Sequence, residues 1–178
     1  CGAWGASMGD PMTQTQMKAL ARQLAISHGI PPDGYIAQIG QESSWNPNAV
    51  SPSGAMGLAQ FMPATWAEWG MDLSPWDPAA SLSAGARYMQ WIPLWLKSQG
   101  LAGTWDQVLA SYNWGIGSVR NAVVEHGDNW LASAPEQTQE YVEKLAPHFS
   151  NGGSTSTTNA ATGALLVGLG ALLWMIDK

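Results

Sequence analysis

Charged residues are scarce in this chain, and basic residues are scarcer still. Lysine and arginine together number 7 against 13 aspartates and glutamates, which gives a formal net charge of -6. No stretch of the sequence concentrates the basic residues. Proteins that bind nucleic acid neutralise its phosphates with clustered lysine and arginine, so nucleic acid is excluded as a class of partner.

Cysteine and histidine are equally sparse. Cys1 is the single cysteine, so no disulfide can form within the chain. A lipid-modified amino-terminal cysteine and a trimmed chain end are both open interpretations of this residue. The histidines, His28, His126 and His148, lack the spacing of metal ligands. We therefore predict neither a metal site nor a cofactor.

Phenylalanine is nearly absent, with 2 residues against 11 tryptophans. An indole has large apolar faces and one N–H donor, which suits protein cores, sugar-stacking surfaces and membrane interfaces. We expect most of the tryptophans to be structural and the remainder to line a groove. With 178 residues and a hydrophobic content of 46%, the chain can bury one core without disulfides.

Strand-like alternation of useful length is also missing, and helical periodicity takes its place. Thr13 and Thr104 each stand three residues before a glutamine, the spacing of a capping box. Pro63 suits the first position of a short helix, and Pro93 should kink a longer one. Apolar stripes indicate three helices, at Met17, Leu20, Leu24 and His28, at Leu82, Ala86, Met89, Ile92 and Leu96, and at Thr138, Tyr141, Val142 and Leu145. The sequence predicts a mainly α fold, with an irregular lead-in over 1–12 and one helical domain over 13–149.

The composition changes after this domain. Residues 150–159 are rich in Gly, Ser and Thr, as in a flexible linker, and residues 160–176 contain no charge. These 17 residues would form a helix of about 25 Å, within the range of a membrane span. A buried core helix is the alternative, although a core helix normally keeps a polar face. We predict a single C-terminal transmembrane helix, with the lipid bilayer as partner and Trp174 at the interface.

Glu42 lies near the predicted end of a helix. Tyr35, Ile39 and Glu42 follow one another at positions i, i+4 and i+7. This spacing places its carboxylate on a face that carries two buried side chains. Burial and the negative end of the helix dipole both disfavour ionisation, so the pKa of Glu42 should be raised. A carboxylic acid that keeps its proton can act as a general acid. On spacing alone, a surface glutamate near a helix end is an equally good interpretation.

The residues around Glu42 carry a more specific signal. Glu42 and Ser43, the stretch "NPNAVSPSGAMGLAQFMPATW", then "SYNWG" and "TQEYV", resemble the motifs of the soluble lytic transglycosylase family in order and separation. The resemblance covers roughly residues 15–149. It implies a lysozyme-like helical transglycosylase domain related to goose-type lysozyme. It also implies that the substrate is the glycan strand of peptidoglycan.

The resemblance assigns roles to individual residues. It implies that Glu42 is the catalytic acid and base, that Tyr112 lies close to this acid, and that Tyr141 belongs to the last motif. It further implies substrate-binding roles for Ser43, Ser51, Gln60, Met62 and Asn113. The chain departs from the family pattern at three positions, where Ala59 replaces a methionine, Trp114 an alanine, and Gln137 a glutamate.

The implied reaction is cleavage of the β-1,4 bond between N-acetylmuramic acid and N-acetylglucosamine, with formation of a 1,6-anhydro product. A hydrolytic muramidase of the same fold and a non-catalytic glycan-binding module are the alternatives. The membrane span would tether the catalytic domain on the side that holds peptidoglycan, the periplasm of a Gram-negative cell. A bacterial envelope and a phage virion with its membrane both fit. The compact size and the C-terminal anchor slightly favour the phage, and membrane or virion assembly partners are open.

Overall fold

The computed structural model describes residues 11–150, which form seven α-helices. Helices and irregular loops make up almost all of this part of the chain, and its β-pairing is limited to isolated bridges. The helices are α1 (Gln14–Ser27), α2 (Pro32–Ser43), α3 (Pro63–Trp69), α4 (Pro78–Ser98), α5 (Trp105–Trp114), α6 (Ile116–His126) and α7 (Glu136–Ser150), with a 3₁₀ helix (Gly127–Ser133) before α7. The prediction of a mainly α fold is confirmed.

Several predicted regions lie outside the described residues. They are nearly all of the lead-in 1–12, the linker 150–159 except for Ser150, and the transmembrane segment 160–176. These three assignments therefore stay predictions. Among the helices of residues 11–150, none has the length and apolar character needed to cross a bilayer.

The starts of α1 and α5 are fixed by the capping boxes that the sequence predicts. The hydroxyl oxygen of Thr13 accepts from the backbone N–H of Gln16, and the Gln16 side chain accepts from the backbone N–H of Thr13. Thr104 and Gln107 repeat this reciprocal arrangement at α5. Each box satisfies two backbone donors that a helix start leaves unpaired.

The predicted apolar stripes are confirmed in α4 and α7 and need correction in α1. All five stripe residues of α4 are fully buried, and α4 runs through Pro93 as one helix. In α1 the buried side chains are Met17, Ala21 and Ala25, whereas Leu20 and Leu24 are half-buried and His28 caps the helix. For α1 the prediction passed over the alanines, although alanine is among the residues most often fully buried.

The tryptophans differ widely in burial. Three of those in residues 11–150 are buried, namely Trp45, Trp66 and Trp130, and the rest are half-buried or exposed. The indole is so large that it is rarely covered completely. Half-buried rings still pack on other aromatic rings, as Trp69 does on Tyr88 and Trp105 does on Phe149.

The described chain divides into two compact units, of which unit 1 ends at Gln90 and unit 2 begins at Trp91, within α4. In unit 1, α1 packs against α2. In unit 2, α5 packs against both α6 and α7, and α6 packs against the 3₁₀ helix.

A buried hydrogen bond inside unit 1 joins α2 to α4. The Tyr35 hydroxyl is fully buried and donates to the carbonyl oxygen of Leu82 at 2.6 Å. Burial raises the pKa of Tyr35 far above its ordinary value, so the phenol keeps the proton that it donates. A Cβ placed on Gly85 would lie 2.6 Å from this hydroxyl, so a glycine is needed for the two helices to approach here.

Substitution of this glycine should therefore destabilise the fold. We expect Gly85→Ala to lower the free energy of unfolding by about 1–2 kcal/mol, because overpacking outweighs the higher helix propensity of alanine. Gly117→Ala in α6 is the matched control, since nothing lies within 4 Å of its added Cβ. Its free energy of unfolding should rise by about 0.5 kcal/mol. Urea unfolding measures both variants. Equal stability of the two would contradict the close contact at Gly85.

Candidate active site

Glu42 is the second-last residue of α2, as predicted from the sequence. Tyr35 and Ile39, which share its helix face, are both fully buried, and Glu42 itself is half-buried. Its carboxylate is therefore attached at the margin of the core of unit 1. The raised pKa expected for Glu42 stays a prediction.

The backbone turns sharply just after Glu42. Ser44 is the C-cap residue of α2 and has φ 51°, and its N–H donates to the carbonyl of Gly40 at 2.9 Å. Trp45 follows with φ 64°, so two consecutive residues other than glycine occupy the left-handed region. Such backbone costs about 1–2 kcal/mol per residue and persists only where the surrounding structure fixes it.

Packing of Trp45 helps to hold this turn. The indole is 8% exposed, and a Cβ on Gly40 would lie 3.2 Å from its Nε1 atom. The Nζ atom of Lys18 lies 5.5 Å from the ring centroid, within the distance of a cation–π interaction. Burial of a large aromatic side chain contributes about 1.5–3 kcal/mol, so it can offset much of the strained backbone.

The loop that follows, residues 46–62, is closed by short-range hydrogen bonds. Isolated bridges pair Val50 with Met56 and Met56 with Phe61. The Ser51 hydroxyl oxygen accepts from the backbone N–H of Ala55 at 2.9 Å and lies 2.9 Å from the Ser53 hydroxyl. Ser51 is half-buried, so part of its side chain is open to a ligand.

Gln60 braces this loop from within. Its Nε2 atom donates to the carbonyl oxygens of Gly57 at 2.8 Å and Ala49 at 3.1 Å. These two bonds use both side-chain N–H donors, so the carbonyl oxygen of the amide is the group left to accept a hydrogen bond from a ligand. Gln60 also has φ 51°, the left-handed region again.

Unit 1 contains two further residues of the predicted site. Ser43 is 7% exposed, and its hydroxyl donates to the Ile39 carbonyl at 3.1 Å, within α2. Met62 is the N-cap residue of α3 and is 43% exposed. The methionine side chain is therefore open to a ligand, whereas the serine hydroxyl already has a partner in its own helix.

The predicted residues of unit 2 lie on two packed helices. Tyr112 and Asn113 are near the end of α5, the first half-buried and the second exposed. Tyr141 is 6% exposed and belongs to α7. The Thr138 hydroxyl donates to the Oδ1 atom of Asn113 at 2.8 Å, which ties the two motifs of this unit together.

Two other features bear on ligand binding. Among residues 11–150, no three His, Cys, Asp or Glu side chains come together in an arrangement that could hold a metal ion. A surface depression of about 350 Å³ in unit 1 is lined by residues from Leu73 to Arg87. None of the predicted site residues lines it.

Comparison with known proteins identifies the family. The sequence model of the family described as Transglycosylase SLT domain matches residues 19–130. This match covers more than half of the chain, and the chain belongs to this family. Glu42, Ser51, Gln60, Tyr112 and Asn113 lie inside the matched range, whereas Tyr141 lies beyond its end.

Curated relatives carry the corresponding names. Membrane-bound lytic murein transglycosylase F of Pasteurella multocida is 36% identical over 101 residues, which cover 51% of this chain and 20% of the relative. Membrane-bound lytic murein transglycosylase D of Escherichia coli is 29% identical over 115 residues, 58% of this chain and 24% of the relative. The chain therefore spans about a fifth to a quarter of the length of these relatives.

Solved structures share the fold. The 70 kDa soluble lytic transglycosylase of Escherichia coli aligns with a TM-score of 0.61 at 27% identity, over 74% of this chain and 23% of that one. An inactive mutant of a lytic transglycosylase from Pseudomonas aeruginosa aligns with a TM-score of 0.62 at 24% identity, over the same shares of the two chains. The second likeness concerns the fold alone.

Sequence reasoning missed two sets of hydrogen bonds that involve the predicted residues. The brace formed by Gln60 joins residues 3 and 11 positions apart, and the bond between Thr138 and Asn113 joins residues 25 apart. No local pattern encodes such bonds, because they depend on where the backbone places a carbonyl or an amide. The family motifs name Gln60 and Asn113, but they give no account of these contacts.

Removal of the Gln60 side chain should loosen the loop. We expect Gln60→Ala to lower the free energy of unfolding by about 1–3 kcal/mol, since two hydrogen bonds are lost and two carbonyl oxygens lose a partner. Gln60→Gly should be about 1 kcal/mol more stable than Gln60→Ala because glycine tolerates φ 51°. Gln23→Ala, at an exposed position of α1, is the control and should stay near wild type. Wild-type stability of Gln60→Ala, measured by urea unfolding, would contradict the brace.

Proposed function

We propose that this protein is a peptidoglycan lytic transglycosylase that cleaves the β-1,4 bond between N-acetylmuramic acid and N-acetylglucosamine. The observation that carries this proposal is the position of Glu42, at the end of α2 and at the margin of the core, inside the range matched by the family. The names of the curated relatives, which are lytic murein transglycosylases, support the same substrate.

Glu42 supplies both proton transfers of the reaction. As a carboxylic acid it donates its proton to the glycosidic oxygen as the bond to C1 of N-acetylmuramic acid breaks. As a carboxylate it then takes the proton from the C6 hydroxyl of the same sugar, which closes onto C1 and forms the 1,6-anhydro ring. Microscopic reversibility allows one group to serve in both steps. No second carboxylate is needed, in contrast to two-carboxylate glycosidases.

The remaining site residues bind and orient the glycan. Ser51, Gln60 and Met62 act from the loop that follows Glu42, with Gln60 offering its amide oxygen to a sugar hydroxyl or N–H. Ser43, whose hydroxyl is bonded within α2, contributes through the packing at the end of this helix. For Tyr112, Asn113 and Tyr141, a role in the reaction is implied by the family motifs alone.

Hydrolysis is the second candidate outcome. A water molecule that reached C1 before the C6 hydroxyl would give a reducing sugar instead of an anhydro end. The same position of Glu42 would support this reaction, because both outcomes need one proton donated and one removed. The two products differ by one water in mass, so mass spectrometry of the released muropeptides distinguishes them.

A membrane setting accompanies this activity. Residues 160–176 carry no charge and would tether the catalytic domain through the linker 150–159, facing peptidoglycan. The curated relatives are named membrane-bound and come from bacteria, which favours a bacterial envelope. A place in a phage virion rests on the sequence alone, as do assembly partners in either setting. Fractionation of cells that express the full chain, compared with a chain ending at Ser150, tests the tether.

Replacement of Glu42 tests the enzymatic assignment. We expect Glu42→Gln to lower the rate of muropeptide release from purified cell wall by about 10²–10⁴-fold, because the amide cannot donate a proton to the leaving oxygen. Glu68→Gln, an exposed change in the same unit, should retain wild-type activity. Both variants should keep the wild-type circular dichroism spectrum. Undiminished release by Glu42→Gln would rule out the assigned role.

A further inference from the structure

The hydroxyl of Thr138 forms an unusual bond for a residue in the first turn of a helix. Thr138 is 2% exposed, and its Oγ1 atom donates to Oδ1 of Asn113, a residue 25 positions earlier in the chain. A threonine hydroxyl in a helix commonly bonds a carbonyl three or four residues before it. Thr138 reaches instead to the end of α5.

The nearby carbonyl oxygens already have other donors. The carbonyl of Pro135 accepts from the backbone N–H groups of Thr138 at 2.8 Å and Gln139 at 3.0 Å. The carbonyl of Ala134 accepts from the Gln139 side chain at 2.8 Å. Each of these two carbonyl oxygens thus already accepts at least one hydrogen bond, and the Thr138 hydroxyl bonds Asn113 instead.

This bond has a chemical consequence for Asn113. An asparagine side chain carries one carbonyl oxygen and one NH₂ group, and rotation about its last bond exchanges their positions. Thr138 donates to the oxygen, which fixes the orientation of the amide and leaves both N–H donors of the NH₂ group for a ligand. Asn113 is exposed, and therefore it does not need Thr138 to satisfy a buried polar group.

We propose that Thr138 is a positioning residue that holds the Asn113 amide with its N–H donors directed to an acceptor oxygen of the glycan strand. This inference rests on the proposed function and names the chemistry of one contact of that site. Both sugars of the strand carry an N-acetyl group, and its carbonyl oxygen is the strongest neutral acceptor they offer. The arrangement selects an acceptor on the sugar and disfavours a donor at the same place.

A double-mutant cycle separates positioning from simple packing. Thr138→Val keeps the size of the side chain but removes the hydroxyl, and it should raise KM for glycan by about 2- to 10-fold with little change in kcat, the range for loss of one hydrogen bond. Thr138→Ser should restore the wild-type KM. Thr138→Val combined with Asn113→Ala should have the KM of Asn113→Ala alone. Thr65→Val, a matched change in α3, should leave KM unchanged.

Binding without cleavage gives an independent measurement. In the Glu42→Gln background, we expect an oligomer of N-acetylglucosamine to shift the side-chain NH₂ resonances of Asn113, and we expect this shift to shrink in Thr138→Val. Additive effects on KM, or a lower melting temperature of Thr138→Val with unchanged KM, would show that the bond only ties α5 to α7. Cleavage by the wild type without any shift at Asn113 would overturn this inference and leave the proposed function intact. A shift at Asn113 in the absence of any cleavage by the wild type would support this inference and contradict the proposed function.

Discussion

The hydrogen bond from the Tyr35 hydroxyl to the Leu82 carbonyl is the contact on which the rest of unit 1 depends. It joins α2 to α4 in the core, and the Tyr35 hydroxyl lies so close to Gly85 that no larger side chain fits at that position. Ile39 is buried one turn later, and Glu42 follows within the next turn. A shift of Tyr35 would therefore move the carboxylate as well, because a helix transmits displacement along its length.

The fixed end of α2 also explains why the chain after it can adopt strained backbone. Ser44 and Trp45 are held in the left-handed region by the last hydrogen bond of α2 and by burial of the indole. Gln60, with φ 51°, braces the loop from its other end. Strain of this kind is common where a site must be held in one geometry. The backbone next to Glu42 and the loop after it are thus held by contacts within unit 1.

The predictable part of this structure is the part that local chemistry decides. Thr104 and Gln107 start a helix wherever their side chains can reach the free N–H groups, and the stripe from Leu82 to Leu96 has to be buried. The left-handed turn at Ser44 and the hydrogen bonds of Gln60 depend on tertiary contacts, so no local sequence pattern predicts them. The position of Glu42 followed from its spacing, but its assigned chemistry needed the family motifs.

The central claim is that one carboxylate, Glu42, cleaves the glycan without consuming water. Digestion of purified peptidoglycan in water labelled with heavy oxygen tests it most directly. A lytic transglycosylase closes the C6 hydroxyl onto C1, so the anhydro products should carry no label at the new end. Heavy oxygen at C1 of N-acetylmuramic acid would show that water attacks there, and would contradict this account in favour of a hydrolase.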